Sequence, residues 1–414
     1  MLEIYFEADA TLARLRCGPL GPFLDGFAEA LSVAGYSHWT ARGYLRAARH
    51  LGLWIERGDG ALAELSDETL VGFADHLPDC TCLRRNRGVY SDALAGARLF
   101  LDHLRSHGVV SAAEASPDPV LPEHVAAFER WMTVHRGVQP STLLAYRMLV
   151  VELLDALGDP GTFDARGLRR FVAERATRHG RSRAKTVVTA TRMFLRYAIA
   201  HGLCPAHLDT AIPTIAEWKL ASLHPYLAIE EVERLIDTPD TSTPAGLRDH
   251  AILLLLTRLG LRAGDVIALR MEDIDWSTGT LRLCGKGRRV TRLPLPQDVG
   301  DAVLRYLDAG RPDSTDPHVI QRVRAPWGPL RSACAVSDIV TRTAKRAGVK
   351  LPRGGAHVLR HSLATRLVRQ GVPLVAVRTV LRHQSDQTTA HYAKLDTPAL
   401  AGLAQPWPQE VAPC

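Results

Sequence analysis

Residues 357–369 read HVLRHSLATRLVR, and the fold and chemistry of the surrounding segment can be worked out from this stretch. The chain is predicted to be helical around residues 358–370 and again around 374–381. His357 and Arg360 are three positions apart, so one helical turn places both side chains on the same face. The stretch therefore predicts a helix that presents a histidine and an arginine together.

A second arginine and a lysine lie upstream of this helix. The stretch LGLR at 259–262 places Arg262 just past a buried helix predicted over residues 249–259, which ends at Gly260. Asp265 follows three residues later. Residues 280–294 alternate in polarity and contain a Gly-Lys-Gly sequence. This pattern is typical of a β-hairpin, and it predicts that Lys286 lies at the tip.

Another histidine and a tyrosine follow the helix. Residues 381–383 read LRH, and residues 388–392 read TTAHY, so Tyr392 comes shortly after His383. The segment from roughly 225 to 400 is therefore predicted to be mainly α-helical with a small antiparallel β-sheet. It carries arginine, lysine, histidine and tyrosine side chains that could act on one phosphate.

Positive charge is concentrated in long stretches of the sequence. The chain has 414 residues and a formal net charge of +7. Residues 339–385 and 277–297 contain no Asp or Glu, and residues 165–208 contain one acid, Glu174. Solvated helical faces usually mix both signs, because like charges one turn apart repel. The stretches therefore indicate a surface for phosphates, although an Arg-rich protein with an ordinary basic surface is the alternative.

The chain before residue 220 is predicted to form two small helical bundles, separated by proline-rich breaks near residues 118 and 220. In each, a threonine precedes a tyrosine by four residues, and an aromatic-rich closing helix stops at a glycine. The two pairs are Thr40 with Tyr44 and Thr142 with Tyr146. These breaks predict three domains, at 1–117, 118–218 and 219–414.

The motifs of the third segment resemble those of the tyrosine recombinase, or phage integrase, family. That family carries an arginine in a Gly-Leu-Arg turn, a lysine in a hairpin, His-x-x-Arg, Leu-x-His and then a tyrosine. All of these occur here in that order within residues 225–400. The resemblance implies two SAM-like helical DNA-binding domains, an N-terminal one at 1–117 and a core-binding one at 118–218, and a mixed α/β catalytic domain at 219–414. The duplicated helical front end resembles that of mobile-element recombinases that act as integrases or transposases.

The resemblance implies DNA strand exchange through a covalent intermediate, without metal or ATP. Tyr392 would attack a DNA phosphate and hold the strand as a 3′-phosphotyrosine. Arg262 and Arg360 offer planar guanidiniums for the two non-bridging oxygens of that phosphate. The residues that match the family's catalytic set are Arg262, Lys286, His357, Arg360, His383 and Tyr392.

The remaining roles are implied by the family alone. Lys286 would give a proton to the departing 5′ oxygen, and His357 would assist proton transfer at the tyrosine. His383 would donate a hydrogen bond to the scissile phosphate. Asp265, where the family more often has Glu, would support Arg262.

No metal or cofactor site is expected from the sequence. His357 and His361 have the spacing of a zinc-binding pair, but no Glu lies between them and Arg360 would oppose a cation. His361 is interpreted as a helix-packing residue. Cys80 and Cys82 are not followed by a second pair with zinc spacing. The seven cysteines are therefore expected to be reduced thiols of a cytosolic protein.

Two other functions use the same features. A DNA-binding regulator could keep the residues without cleaving, and a type IB topoisomerase uses the same chemical set. The expected partners are double-stranded DNA, three further copies of the chain on two synapsed sites, and sister recombinases. No membrane attachment is expected, because no apolar run approaches the length of a membrane span. The apolar tail at 395–408 would dock on its own domain or on a neighbouring protomer.

Overall fold

The structure is a computed structural model, and it describes residues 1–58, 62, 65–80, 90–111, 121–178, 180–215, 225–284, 290–383, 389, 392 and 393. Lys286, Cys82 and the apolar tail lie outside the described residues. The chain divides into two compact units, one made of residues 1–111 with 220–414 and the other of residues 112–219. Within the described residues, every helix is too short or too polar to span a bilayer.

The first unit begins with a helical module. Its helices are α1 Asp9–Arg16, α2 Leu24–Val33, α3 His38–Arg57, α4 Asp67–His76 and α5 Tyr90–Ser106, with short 3-10 helices at Leu2–Ile4 and Gly21–Phe23. Ser37 starts α3 because its hydroxyl accepts the backbone N–H of Thr40. The apolar faces of α2 to α5 enclose Phe27, Phe73 and Phe100, all of which are fully buried.

The second unit is also helical. Its helices are α6 Glu123–Arg136, α7 Pro140–Leu157, α8 Ala165–Arg178 and α9 Arg181–Ala200, with 3-10 helices at Pro160–Thr162 and Leu208–Ala211. Gly137 ends α6 in a left-handed conformation, and Pro140 starts α7 at a position where its missing N–H costs nothing. Phe128, Leu153 and Phe194 lie at the centre of the core.

The C-terminal segment of the first unit, from residue 225 onward, combines helices with a small sheet. Its elements are α10 Ile229–Asp237, α11 Pro244–Arg258, α12 Ala263–Ala268, a 3-10 helix Met271–Asp273, β1 Ile274–Asp275, β2 Thr280–Cys284, β3 Val290–Pro294, α13 Gln297–Ala309, α14 Ala333–Arg346, α15 His357–Arg369 and α16 Leu374–Leu381. The strands are antiparallel in the order β1-β2-β3, with Arg282 opposite Arg292. Residues 251–257 of α11 are all buried, so this helix is the centre around which the others pack.

The helical module and the C-terminal segment of the first unit are in contact at the loop that carries Trp327. The backbone N–H of Trp327 donates to the carbonyl of Ala34 at 3.0 Å. Gly35 has φ of 78°, and any side chain there would overlap the Trp327 indole. The indole of Trp327 therefore packs directly against the turn between α2 and α3.

The fold class predicted from the sequence is confirmed. The hairpin predicted over 280–294 is present as β2 and β3, and α16 spans the predicted 374–381. The helix predicted from 249 starts earlier, at Pro244, because Thr243 caps it through the N–H of Gly246. The three-domain division stays a prediction.

Candidate functional site

Arg360 is buried at the centre of the candidate site. It lies near the start of α15, with 2% of its surface exposed. Its guanidinium donates hydrogen bonds to the carbonyl oxygens of Gly260 and Leu381. Burial, and then the neighbouring cations Arg262 and Arg382, lower the pKa of Arg360 to about 9. Two neutral carbonyl oxygens thus hold the guanidinium in a buried place where a positive charge is unfavourable. A bound anion would offset the free-energy cost of burying that charge.

A glycine turn brings Arg262 close to Arg360. Gly260 has φ of 59°, and a Cβ there would lie 2.9 Å from a methyl of Leu363 and 3.0 Å from one of Leu381. Because a side chain would clash in this conformation, glycine lets α11 end here with its carbonyl directed at Arg360. Arg262 follows, half-buried, at the start of α12.

Asp265 ties the start of α12 to the end of α16. Its carboxylate accepts the backbone N–H of Arg262 at 2.9 Å and pairs with the guanidinium of Arg382 at 2.6 Å. Both side chains of the ion pair are largely buried, with 12% and 7% exposed. Arg382 itself has φ of 53°, a left-handed conformation that turns the chain from α16 toward His383. The ion pair holds this turn against the loop of Arg262.

We expect Asp265→Asn to lower the free energy of unfolding by about 3 kcal/mol, because it leaves Arg382 buried without its counter-charge. Urea denaturation measures the loss. Glu272→Gln is the matched control, since exposed Glu272 lies 3.7 Å from Arg282 and its removal should cost less than about 0.5 kcal/mol. Equal losses in the two variants would contradict the role given to the ion pair.

Tyr392 lies in the same site. It is 2% exposed and belongs to a small apolar cluster that includes Leu363, Val377 and Leu381. Burial raises the pKa of its phenol to about 12, and the positive charge of Arg360 acts in the opposite direction. The hydroxyl is therefore protonated at neutral pH. It lies close enough to Arg360 for the positive charge of the guanidinium to lower its pKa.

Histidines surround the phenol. The Nδ1 atom of His361 lies 2.5 Å from the Oη of Tyr392. The imidazole of His383 is nearly parallel to the phenol ring, with the ring centres 6.5 Å apart, and its Nδ1 lies 2.9 Å from the hydroxyl of Thr389. The ring of His357, which is exposed, packs edge-on against His361 with the centres 4.6 Å apart.

The structure brings most of the sequence-predicted residues together. Arg262, Arg360, His383 and Tyr392 surround one site, and His357 reaches it through His361. Lys286 lies outside the described residues.

The sequence interpretation of His361 as a packing residue missed its contact with the phenol. Its place beside Arg360 on a helix was the available signal. The sequence around His361 did not indicate that the hydroxyl of Tyr392, 31 residues later, would contact its imidazole.

Comparison with known proteins gives the family. The sequence profile described as the phage integrase family matches residues 225–398. The integrase/recombinase y4rA of Sinorhizobium fredii is 35% identical over 416 residues, which cover 99% of this chain and 100% of the relative. The tyrosine recombinase XerD of Lacticaseibacillus casei is 28% identical, over 67% of this chain and 96% of its own.

A solved structure shares the fold. The XerH site-specific recombinase bound to palindromic difH substrate in a post-cleavage complex superposes with a TM-score of 0.54 at 16% identity, over 83% of this chain and 97% of its own. The relative y4rA matches this chain along its whole length at 35% identity. The chain therefore belongs to the phage integrase family and is a tyrosine-type site-specific DNA recombinase.

Proposed function

We propose that the chain cuts and rejoins DNA through a covalent 3′-phosphotyrosyl bond at Tyr392. The observation that carries the proposal is the buried Arg360, which is bonded to two carbonyl oxygens and lies beside a buried phenol. A phosphodiester between them would meet a cation and a nucleophile together. The reaction forms a bond from Tyr392 Oη to phosphorus and breaks the bond from phosphorus to the 5′ oxygen.

The charge balance of the site favours an anion. Arg262 and Arg382 lie close enough to Arg360 to lower its pKa, and the carboxylate of Asp265 acts on Arg360 in the opposite direction. Asp265 is engaged by Arg382. Two positive charges therefore remain for a phosphate, and in a site shielded from water they would stabilise the extra negative charge of the transition state.

Tyr392 needs a base before it can attack. A pKa near 12 leaves about one phenolate in 100,000 molecules at pH 7. With the phenol O–H donating to the Nδ1 of His361, the imidazole is positioned to take the proton as the oxygen approaches phosphorus. We propose this role for His361, with His357 behind it as the group that passes the proton on.

We expect His361→Ala to slow single-turnover cleavage about 100-fold to 1,000-fold while DNA binding is retained, because it removes the hydrogen-bond partner of the phenol. His357→Ala should cost less, since its ring reaches the phenol only through His361. His250→Ala, on α11, is the control for loss of an imidazole elsewhere in the domain. A larger loss from His357→Ala than from His361→Ala would reverse the proposed order.

The leaving 5′ oxygen needs a proton, and we propose that Lys286 supplies it. Lys286→Ala should slow cleavage of ordinary DNA about 100-fold or more. When sulfur replaces the bridging 5′ oxygen of the substrate, the sulfur can leave without receiving a proton. The variant and the parent should therefore cleave this substrate at nearly equal rates. If sulfur gives no rescue, Lys286 is not the acid.

A suicide substrate tests the proposed function. This nicked duplex loses a short 5′ fragment after cleavage, so the covalent intermediate cannot religate. We expect a protein–DNA adduct that survives boiling in detergent. A regulator that binds DNA without cutting would retard the same duplex in a gel and give no adduct on any cognate site, which would overturn the proposal.

We further propose that the chain integrates or moves a DNA element, acting as four copies on two synapsed sites. The relative y4rA, which matches this chain along its whole length, carries the name integrase/recombinase, whereas the match to XerD covers 67% of this chain. A plasmid carrying the element's ends beside a marker should transfer the marker to a second replicon when the protein is present. Resolution of plasmid dimers without transfer would contradict this role.

A further inference from the structure

The first helical module contains a cluster of metal-ligating side chains far in sequence from the candidate active site. His50 on α3, His76 at the end of α4 and Cys80 after α4 each offer one donor atom, and these atoms all lie within 4.8 Å of one another. The Sγ of Cys80 is 3.1 Å from the Nε2 of His50. Residues from two helices and the following turn thus converge on one point.

The fold forms this point by a short return of the chain. The turn after α4 is closed by the backbone N–H of Cys80, which donates to the carbonyl of Leu77. His76 and Cys80 are four residues apart, so this turn directs both toward α3. His50 meets them from the buried side of α3, with 6% of its surface exposed.

The surroundings suit a neutral imidazole ligand. His50 is buried inside the module, next to aromatic side chains. Its ring packs edge-on against Phe73 at 5.1 Å, and the ring of His76 lies 6.1 Å from that of Trp54. An apolar surround of this kind limits access of water and strengthens the binding of a cation to its ligands.

We propose that His50, His76 and Cys80 bind a zinc ion that fastens α3 to α4. Two imidazoles and a thiolate are the donors that zinc prefers. Zinc–nitrogen bonds of about 2.0–2.1 Å and zinc–sulfur bonds of about 2.3 Å set two nitrogens about 3.3 Å apart and a nitrogen and a sulfur about 3.6 Å apart in a tetrahedral site. The observed spacing therefore needs only small side-chain movements.

This proposal revises the expectation drawn from spacing alone. The sequence offered no second cysteine pair after Cys80, but the fold supplies two histidines, one of them from 30 residues earlier. Three protein ligands leave the fourth position to water or to another donor. The role is structural, because the site lies in the helical module and the proposed cleavage chemistry has no use for it.

Metal analysis of the full-length protein tests the site. After dialysis against metal-free buffer, the parent should retain about one zinc per chain, and Cys80→Ser and His76→Ala should retain almost none. Cys17→Ser is the matched control, since this exposed cysteine lies in the same module and its loss should leave the zinc content unchanged. Equal zinc in the parent and Cys80→Ser would overturn the proposal.

Two further measurements, a Co²⁺ absorption spectrum and the effect of a chelator on the Tm, test the site if a variant loses zinc because it folds poorly. Replacing zinc with Co²⁺ should give the parent a thiolate-to-cobalt charge-transfer band that Cys80→Ser lacks and Cys17→Ser keeps. A chelator should lower the Tm of the parent but not that of Cys80→Ser, because a ligand that binds only the folded state stabilises it. A cobalt spectrum without the thiolate band, or a Tm that the chelator does not change, would exclude the proposed site.

Discussion

Tyr392→Phe is expected to abolish the covalent adduct on the suicide substrate, with cleavage reduced by at least about 10,000-fold. The change removes one oxygen atom, and that oxygen is the group proposed to join phosphorus. The ring remains to fill its place in the cluster with Leu363 and Leu381, so the variant should fold and bind DNA as the parent does. Denaturing gels measure the adduct, and gel retardation measures binding.

Tyr306→Phe is the matched control for this variant. Tyr306 is fully buried in the same segment, and its hydroxyl accepts the backbone N–H of Gln321 at 3.1 Å. Its loss should cost about 1 kcal/mol of stability and leave the adduct intact. An adduct that persists in Tyr392→Phe would show that another residue is the nucleophile.

Arg360→Lys is expected to slow cleavage about 100-fold to 1,000-fold or more. The planar guanidinium can bond Gly260 and Leu381 through two nitrogens and still present N–H groups to a phosphate, which a single ammonium cannot do. DNA affinity should change much less, because many phosphate contacts contribute to binding. Single-turnover cleavage at saturating enzyme separates the two effects.

Arg369→Lys is the control on the same helix. Arg369 is exposed and lies over the ring of Tyr226 at 4.8 Å, away from the carbonyl oxygens that hold Arg360. Its replacement should change the cleavage rate by less than about threefold. If Arg360→Lys cleaved as fast as Arg369→Lys, the buried guanidinium would not be a catalytic group.

Much of the fold could be predicted because it depends on local patterns. The patterns used were helix periodicity, the Gly-Lys-Gly sequence and the alternation over 280–294. Each of them depends on residues close together in the sequence, and the corresponding helices and strands are present. Helix starts were less certain, as the early start of α11 shows, because a cap such as Thr243 depends on one side-chain hydrogen bond.

The candidate site was predictable in its members but not in all of its contacts. The order of Arg262, Arg360, His383 and Tyr392 along the chain was enough to group them through a family resemblance. That resemblance gave the proton-transfer role to His357, whereas the contact with the phenol is made by His361.

The chain's own order of residues determined its mainly helical class, its small hairpin sheet and the types of side chain available to a phosphate. Tertiary packing alone decided three contacts: Asp265 with Arg382, His361 with Tyr392, and His50 with Cys80. Each joins residues 30 or more positions apart, and such pairs form only when tertiary packing brings distant parts of the chain together. Local conformational preferences of the backbone extend over a few residues, and they carry no information about which distant side chain will contact a given residue.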